Sequence, residues 1–417
     1  MNRHVQRWLG CLAVTLSALS ICTSVPGQEP AGDGKPASTA EALSRMWSQG
    51  KAVGRGPVKL TNFPLRVEDI GYIIPMGMMA SGHVMPSDHL YLVPKEPKAK
   101  GQRYDVLAVA DGYIVVLQWR PQMKVDPDPT VFHRDVDLKV IVEHAATCWS
   151  YVDHLVEVEE SLLKQAGQEV QPGPAVPVRI PVKGGQVIGK VGFQTFDFSL
   201  IDTTVTRKGF VVLDQFLGRD PWKPHAVDPF DYVAEPLKSK LLALDARKVE
   251  PRGGKIDYDV DGRLVGNWYL EGSGGYAGAN RRRDYWVGHL TIAYHHIDPT
   301  KIVISLGEYE GKPQQFWVKG NAPDPAKVGA ADGPVKYELV FGRRGTAGQP
   351  TVRYDADVVQ GVALAQVLPD RSFSPGRPAL RPAGLGEKDR TLKFETFPGK
   401  TAAEVTGFTS AAKIYQR

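Results

Sequence analysis

Short runs of β-branched and aromatic residues, broken by Gly, Pro and Asp, follow one another from Val58 onward. In several of these runs apolar and polar residues alternate, a period of two that is typical of strands with one buried face. Tyr104–Ala110 and Tyr113–Trp119 flank Asp111-Gly112, a dipeptide that favours tight turns, and are predicted to form a β-hairpin. The pattern predicts an all-β protein.

A few segments carry helical patterns instead. Thr39–Gln49 is predicted to form a short helix that is capped by Ser38 or Thr39. Glu157–Gln165 is predicted to form a brief helix, and Leu237–Val249 a helix or a linker. These segments are too short to change the predicted fold class.

A second β-rich stretch begins near Lys255, and its regularly spaced turns favour a sandwich or a barrel. Its predicted strands are Arg263–Leu270, Tyr285–His295, Ile302–Gly307, Lys336–Phe341, Val362–Leu368 and Thr391–Thr396. Gly266-Asn267-Trp268-Tyr269 resembles the G-x-W-Y opening of lipocalin-type barrels, which implies that Trp268 plugs the base of a barrel. His289 and His295 would lie about 20 Å apart on one strand, too far for one metal ion, so they are expected to be core or surface residues.

The first residues predict export. Arg3 and Arg7 precede the apolar run Leu9–Ile21, and Val25-Pro26-Gly27 offers a cleavage site. The run is shorter than the roughly 20 apolar residues of a membrane-spanning helix, so the mature form is expected to have none. The predicted location is periplasmic or extracellular, with an uncleaved anchor or a lipid-modified Cys22 as the alternatives.

Length, charge and cysteine count limit the number of domains, the kinds of partner and the possible disulfides. A chain of 417 residues favours two domains, and a formal net charge of +5 without a dense basic patch argues against nucleic acid as a partner. After cleavage only Cys148 remains, so no intramolecular disulfide is expected. The predicted organisation is a signal peptide (1–27), a leader with a short helix (28–57), a first β-domain (58–235), a linker or helix (236–254) and a second β-domain (255–417).

Six segments of the first β-domain carry His, Asp and Gly residues in a fixed order. They are Gly82–Asp88, Val106–Val115, Val140–His144, Tyr151–Leu155, Val182–Gly189 and Thr195–Ser199. Their order resembles that of the M23 (lysostaphin-like) zinc metallopeptidases. That family has a His followed by an Asp, a V-x-A-x-x-x-G-x-V hairpin, a strand ending in Y-x-H-L, a V-x-x-G-x-x-I-G segment and a closing H-x-H strand.

The resemblance implies a zinc site with His83 and Asp88 as ligands and His154 as the catalytic histidine. A catalytic zinc keeps three protein ligands and one open position, where it activates a water for attack on an amide carbonyl. A nearby histidine then acts as general base or stabilises the oxyanion. The substrate implied is peptidoglycan or another extracytoplasmic peptide.

The sequence departs from the family pattern at two places. Four residues separate His83 from Asp88 where the family has three, which makes His89 an alternative ligand. The closing H-x-H reads Thr195-Phe196-Asp197, so Asp197 would be the third ligand, on the face opposite Phe196. A His-Asp-Asp site would also accept a harder ion such as Mn²⁺ or Mg²⁺.

Histidine chemistry is missing at Thr195, and His144 is the predicted substitute if it lies across the sheet. Each of these residues also has a structural interpretation, as a loop or strand residue without a ligand. The sequence thus leaves three hypotheses: an exported metal-dependent endopeptidase, a catalytically degenerate module that binds peptidoglycan or regulates a partner hydrolase, and a ligand-binding or structural β-protein.

Overall fold

Alternating apolar residues in the first half of the chain build one large antiparallel sheet. A computed structural model describes residue 36 and residues 38–95, 103–120, 137–192, 195–279, 284–344, 352–369 and 390–417. The predicted signal peptide and most of its leader lie outside these residues. The strands of the first half are β1 (Ile70–Ile74), β2 (Leu90–Pro94), β3 (Tyr104–Leu107), β4 (Gly112–Arg120), β5 (Asp137–Ala145), β6 (Cys148–Leu155), β7 (Glu157–Val158), β8 (Val176–Val182), β9 (Val187–Val191), β10 (Phe196–Asp202) and β11 (Ala226–Val227).

The large sheet has the strand order β1-β2-β10-β6-β5-β4-β8, and β11 pairs with β10. A smaller sheet has the order β3-β9-β7. Phe196 and Phe198 of β10 are fully buried in the main core, between the sheet and the segments that pack on this face. Asp197 points to the opposite face, as the alternation predicted.

One end of that opposite face is covered by helix α1 (Thr39–Ser48). Ser38 caps the helix by accepting a hydrogen bond from the backbone N–H of Glu41 at 3.1 Å, as predicted. Leu43 and Trp47 of α1 pack with Trp149 and other apolar side chains of the sheet. The described residues also form the helices α2 (Glu160–Gln165) and α3 (Leu237–Leu244). The charged residues described below also lie on this face.

The predicted hairpin around Asp111-Gly112 is wrong. β3 pairs with β9, whereas β4 pairs with β5 and β8, so the dipeptide carries the chain from one sheet to the other. Gly112 is required by close packing, since a Cβ there would lie 2.3 Å from the carbonyl oxygen of Glu143. Long-range pairing therefore overrides the local turn preference.

The second half forms a closed antiparallel barrel in which each strand pairs with the next and the last pairs with the first. Its strands are β12 (Gly266–Leu270), β13 (His289–Tyr294), β14 (Ile302–Tyr309), β15 (Lys312–Val318), β16 (Val335–Arg344), β17 (Val352–Leu368), β18 (Thr391–Pro398) and β19 (Lys413–Gln416). β15 and β19 are absent from the predicted strands because they are rich in polar residues. The predicted strand Tyr285–His295 includes residues 285–288, whereas these form a 3-10 turn that packs against Gly307.

Side chains fill the interior of the barrel. Trp268 is fully buried, donates its indole N–H to the carbonyl of Leu264 at 2.9 Å and lies under the guanidinium of Arg417. Phe316 and Tyr337 are buried in the same core. An eight-stranded barrel is narrow enough for side chains to fill it. Trp268 thus has the packing role that the lipocalin resemblance implies.

No helix among the described residues is long and apolar enough to cross a membrane. The predicted domain boundaries stay a prediction.

Candidate functional site

His89 is the residue around which the candidate site is built. It lies just before β2, is only 5% exposed, and its Nδ1 is 3.0 Å from Oδ1 of Asp88 and 3.2 Å from the hydroxyl of Tyr151. The other oxygen of Asp88 accepts a hydrogen bond of 2.6 Å from the indole of Trp222. Because an ionised carboxylate only accepts hydrogen bonds, Nδ1 of His89 carries a proton and donates it to Asp88. In the neutral ring this leaves the lone pair on Nε2.

That Nε2 atom is buried and has no hydrogen-bond partner among the described residues. It faces Oδ2 of Asp197 at 3.4 Å, beyond good hydrogen-bonding distance. Buried polar atoms almost always have partners, so an orphaned nitrogen needs an explanation. A bound group between His89 and Asp197 would supply one.

Asp197 is held at the centre of the sheet. It lies directly opposite Tyr91 of β2 and Asp153 of β6 in the strand register. Its Oδ2 is also 3.2 Å from Nε2 of His154. Burial would raise the pKa of Asp197, but the neighbouring rings of His89 and His154 outweigh burial and lower it. Asp197 is therefore ionised, with an imidazole on either side of one oxygen.

His154 reaches Asp197 because β6 contains a β-bulge. Leu155 pairs with Leu138 and Asp153 with Lys139, so His154 is an extra residue with a left-handed φ of 71°. In a regular strand it would face away from Asp153, and the bulge turns it to the same side. A non-glycine residue in this conformation is uncommon and is often found at functional sites.

A carboxylate also orients the ring of His154. Its Nδ1 donates to Oδ1 of Asp137 at 2.8 Å, which directs Nε2 towards Asp197. Burial alone would lower the pKa of His154, but the hydrogen bonds to Asp137 and Asp197 raise it to about 9. Burial likewise opposes protonation of His89, yet Asp197 and Asp88 raise its pKa. Without a bound cation, the neighbouring carboxylates therefore favour the protonated form of each ring.

Arg120 binds the two carboxylates that lie next to His154, those of Asp137 and Asp153. Asp137, Asp153 and His154 are the one group of described residues whose metal-binding atoms all lie within 4.8 Å of one another. Arg120, however, donates to Oδ2 of Asp137 at 3.0 Å and to Oδ2 of Asp153 at 2.9 Å, and Lys139 lies 3.6 Å from Asp153. These carboxylates are neutralised by side chains, so the group is not a separate metal site.

The predicted residue His83 lies at the entrance to the site. It is exposed, on a turn in which Ala80 and His83 pair, and its ring centroid is 5.5 Å from that of His89. Asp88, by contrast, lies behind His89, whose ring separates it from Asp197. The structure thus brings His83, His89, Asp197 and His154 to one place, and Asp88 supports this group from outside.

His144 is not part of this group. Its Nδ1 donates to the carbonyl of Asp111 at 2.9 Å, and its Nε2 is 2.8 Å from the hydroxyl of Ser150. It stands five residues along β5 from Lys139, the partner of Asp153, or about 16 Å from the site. A cavity of about 470 Å³ lies beside His144 and Glu143, and its lining does not include the site residues. The substitution of His144 for the missing family histidine is thus not supported by its position.

Sequence reasoning gave His89 only as an alternative and missed Asp137, Arg120 and Trp222. The Asp88-His89 pair is a local signal, because adjacent carboxylate and imidazole side chains at a strand end can meet in a site. Trp222 has no local signal, since 134 residues separate it from Asp88.

Nε2 of His89 and Oδ2 of Asp197 have the spacing of two ligands on one divalent metal ion. Ligands at about 2.1 Å from a tetrahedral zinc lie roughly 3.4 Å apart, and Nε2 of His89 and Oδ2 of Asp197 are 3.4 Å apart. Metal-binding histidines usually donate their other ring N–H to a carboxylate, as His89 does to Asp88. Two imidazoles and one carboxylate suit zinc better than Mn²⁺ or Mg²⁺.

Neither a protein-family model nor a curated protein matches the chain. Among solved structures, a chain of the SpoIIQ-SpoIIIAH pore forming complex is 19% identical with a TM-score of 0.23, and the alignment covers 44% of this chain and 96% of that one. Lysostaphin, whose structure was solved in solution by NMR, is 12% identical with a TM-score of 0.18, and the alignment covers 63% of this chain and 78% of that one. Scores this low carry no argument about fold or function.

Proposed function

We propose that this protein is an exported, metal-dependent peptidase in which His83, His89 and Asp197 hold a zinc ion and His154 is the catalytic histidine. The observation that carries the proposal is the Nε2 atom of His89, which is buried, has no hydrogen-bond partner among the described residues and faces Asp197. The proposed ligand set has two histidines and one aspartate, whereas the M23 resemblance implies His83, Asp88 and Asp197, because His89 takes the place of Asp88.

Each side chain of the proposed site has a role that follows from its position. When bound, the metal would polarise the scissile carbonyl and activate the attacking water. Asp88 holds the proton of His89 on Nδ1 and so presents Nε2. His154, held by Asp137 and directed at the same centre, has a raised pKa that favours its protonated form, and in that form it would stabilise the oxyanion and donate a proton to the leaving amine.

The proposed substrate is a peptide, either the peptide part of peptidoglycan or another extracytoplasmic peptide. This class comes from the M23 resemblance of the six sequence segments. The exposed position of His83 is consistent with it, because a polymeric substrate needs an entrance at the protein surface.

The test measures metal content and hydrolysis on the same preparations. We expect the purified protein to hold stoichiometric zinc, His89→Ala and Asp197→Ala to lose it, and His154→Ala to keep the metal but lose hydrolysis of peptidoglycan or peptides. His144→Ala is the matched control, because it removes a histidine from the same sheet and should change neither readout. A native protein without metal would overturn the proposal.

A second candidate is a catalytically degenerate module that binds peptidoglycan or regulates a partner hydrolase. It is favoured by the charge balance of the site, where each carboxylate already has a cationic neighbour. The carboxylates are Asp88, Asp137, Asp153 and Asp197, and the cationic side chains are His89, His154, Arg120 and Lys139. Such a network can persist without metal. Peptidoglycan binding by metal-free protein, unchanged by chelator and without any cleavage, would favour this candidate.

A further inference from the structure

The turn that carries His83 contacts the barrel. The backbone N–H of Ser81 donates to Oε1 of Gln315 at 3.0 Å, and Nε2 of Gln315 donates to the carbonyl of Ser81 at 3.1 Å. The same Nε2 is 3.2 Å from the hydroxyl of Ser305, which is fully buried on the neighbouring strand β14. The side-chain amide of Gln315 on β15 therefore forms hydrogen bonds to both the N–H and the C=O of Ser81 and fixes their orientation.

Residues on either side of Ser81 make further contacts with the barrel half of the chain. A Cβ on Gly82 would lie 3.2 Å from ring atoms of Trp286, so the glycine lets the turn lie against the indole. Met79 is buried in a cluster of barrel side chains that includes Trp317. The hydroxyl of Tyr269 is 3.4 Å from the sulfur of Met85. The segment from Met79 to Met85 thus rests on the barrel along its length.

The base of the same segment leads directly into the metal donors. Gly77 donates to the carbonyl of Ser87 at 2.8 Å, and Ser87 donates to the carbonyl of Met78 at 3.1 Å, which closes a hairpin-like loop. Asp88 and His89 follow at its base, and His83 lies near its tip. The base is fixed by the large sheet, whereas the tip is fixed by the barrel.

We propose that the barrel is a positioning element of the site and that Gln315 is the residue that places His83. The inference rests on the proposed metal site and assigns a task to the second half of the chain. His89 and Asp197 are positioned within the first half, but His83 is exposed and its turn depends on Gln315. The site is therefore complete only when the barrel is packed against the large sheet.

The test uses Gln315→Ala in the full-length protein, with Gln314→Ala as the matched control. Cobalt(II) replaces zinc as the probe, because its visible absorption reports the number and kind of ligands. We expect Gln315→Ala to weaken metal binding about 10- to 100-fold, the range found when residues that support a ligand are removed. The cobalt spectrum should shift towards that of His83→Ala. Hydrogen exchange at the Ser81 amide should also speed up, and Gln314→Ala should leave all three readouts unchanged.

Further variants separate positioning from general destabilisation. Gln315→Glu can accept from the Ser81 N–H but cannot donate to its carbonyl, so its metal affinity should be intermediate. In a His83→Ala background, Gln315→Ala should cause no further loss of metal affinity, whereas a structural defect would still lower it.

The outcomes distinguish the two proposals. A wild-type protein that binds no metal overturns the proposed function. A wild-type protein that binds metal, together with a Gln315→Ala variant of unchanged affinity and spectrum, overturns the positioning role alone. Equal losses from Gln315→Ala with and without His83 would also overturn it.

Discussion

His89 of the large sheet and His289 of the barrel are both buried but have opposite surroundings. His89 in the sheet is 5% exposed and donates to the carboxylate of Asp88. His289 in the barrel is 2% exposed, and its Nε2 is 3.0 Å from the backbone carbonyl of Tyr276. Nδ1 of His295 is 3.2 Å from the backbone N–H of Asp298, from which it accepts. Carboxylate partners leave a sheet histidine with a reactive nitrogen, whereas backbone partners make a barrel histidine a core residue.

The pKa values follow the same division. Burial lowers the pKa of His289 to about 3 and that of His295 to about 4. Carboxylate partners overcome burial at His154 and raise its pKa to about 9. Burial alone therefore does not set the pKa of a histidine, which also depends on whether its hydrogen-bond partner is a carboxylate or a backbone group.

The largest expected effect is the loss of the metal when a sheet histidine is replaced. His89→Ala should abolish metal binding, because it removes the buried nitrogen that faces Asp197. His289→Ala, measured in parallel by metal analysis, should retain the full metal content although it is destabilised by a cavity. Loss of metal from both variants to the same extent would break the comparison.

The next effect is the acid sensitivity of a barrel histidine. The pKa of His295 is about 4, from an ordinary value of 6.5, because burial and the nearby Arg247 outweigh Asp298. The unfolded chain therefore binds more protons in this window, and the stabilising contribution present above pH 6.5 is lost as the pH falls towards 4. The loss amounts to about 3 kcal/mol.

Urea unfolding at pH 7.5, 5.5 and 4 would measure this loss. His295→Gln has no titrating ring, so its free energy of unfolding should fall less than that of the wild type across the window. Parallel curves for the two proteins would show that His295 does not titrate differently in the folded and unfolded states.

A smaller effect is expected when the carboxylate behind His89 is neutralised. Asp88→Asn keeps an oxygen for the Nδ1 proton but removes the charge, so metal affinity should fall about 10- to 100-fold while folding is retained. Isothermal titration with zinc would measure it, and Asp111→Asn is the control, since Asp111 is an exposed aspartate outside the site. An unchanged zinc affinity in Asp88→Asn would mean that the charge of Asp88 does not affect metal binding by Nε2 of His89.

The sequence predicted the features that depend on local periodicity. Alternation gave the all-β class and the direction of Asp197, and the capping pattern gave the helix that begins after Ser38. The hairpin at Asp111-Gly112 was wrong because the strands on either side find partners far along the chain. A local turn signal cannot report which distant strand competes for the same backbone groups.

The candidate site was predicted in part for the same reason. His83, Asp197 and His154 come from ordered motifs and lie together, although their roles stay a proposal. The exchange of Asp88 for His89 depends on which of two adjacent side chains turns inward, and one sequence does not fix this where a loop enters a strand. Asp137, Arg120 and Gln315 reach the site through sheet register and barrel packing, which spacing along the chain does not encode.

The bulge at His154 ties the site to the hydrophobic core. Leu155, the next residue, is fully buried opposite Leu138. If β6 continued as a regular strand without the bulge, His154 would take the core position opposite Leu138 and Leu155 would face water, at a cost of about 1.5–3 kcal/mol for the leucine alone. The register that the fold requires for stability is thus the register that the site requires for His154. Selection for a stable protein would preserve this side-chain arrangement even in a lineage that no longer used it.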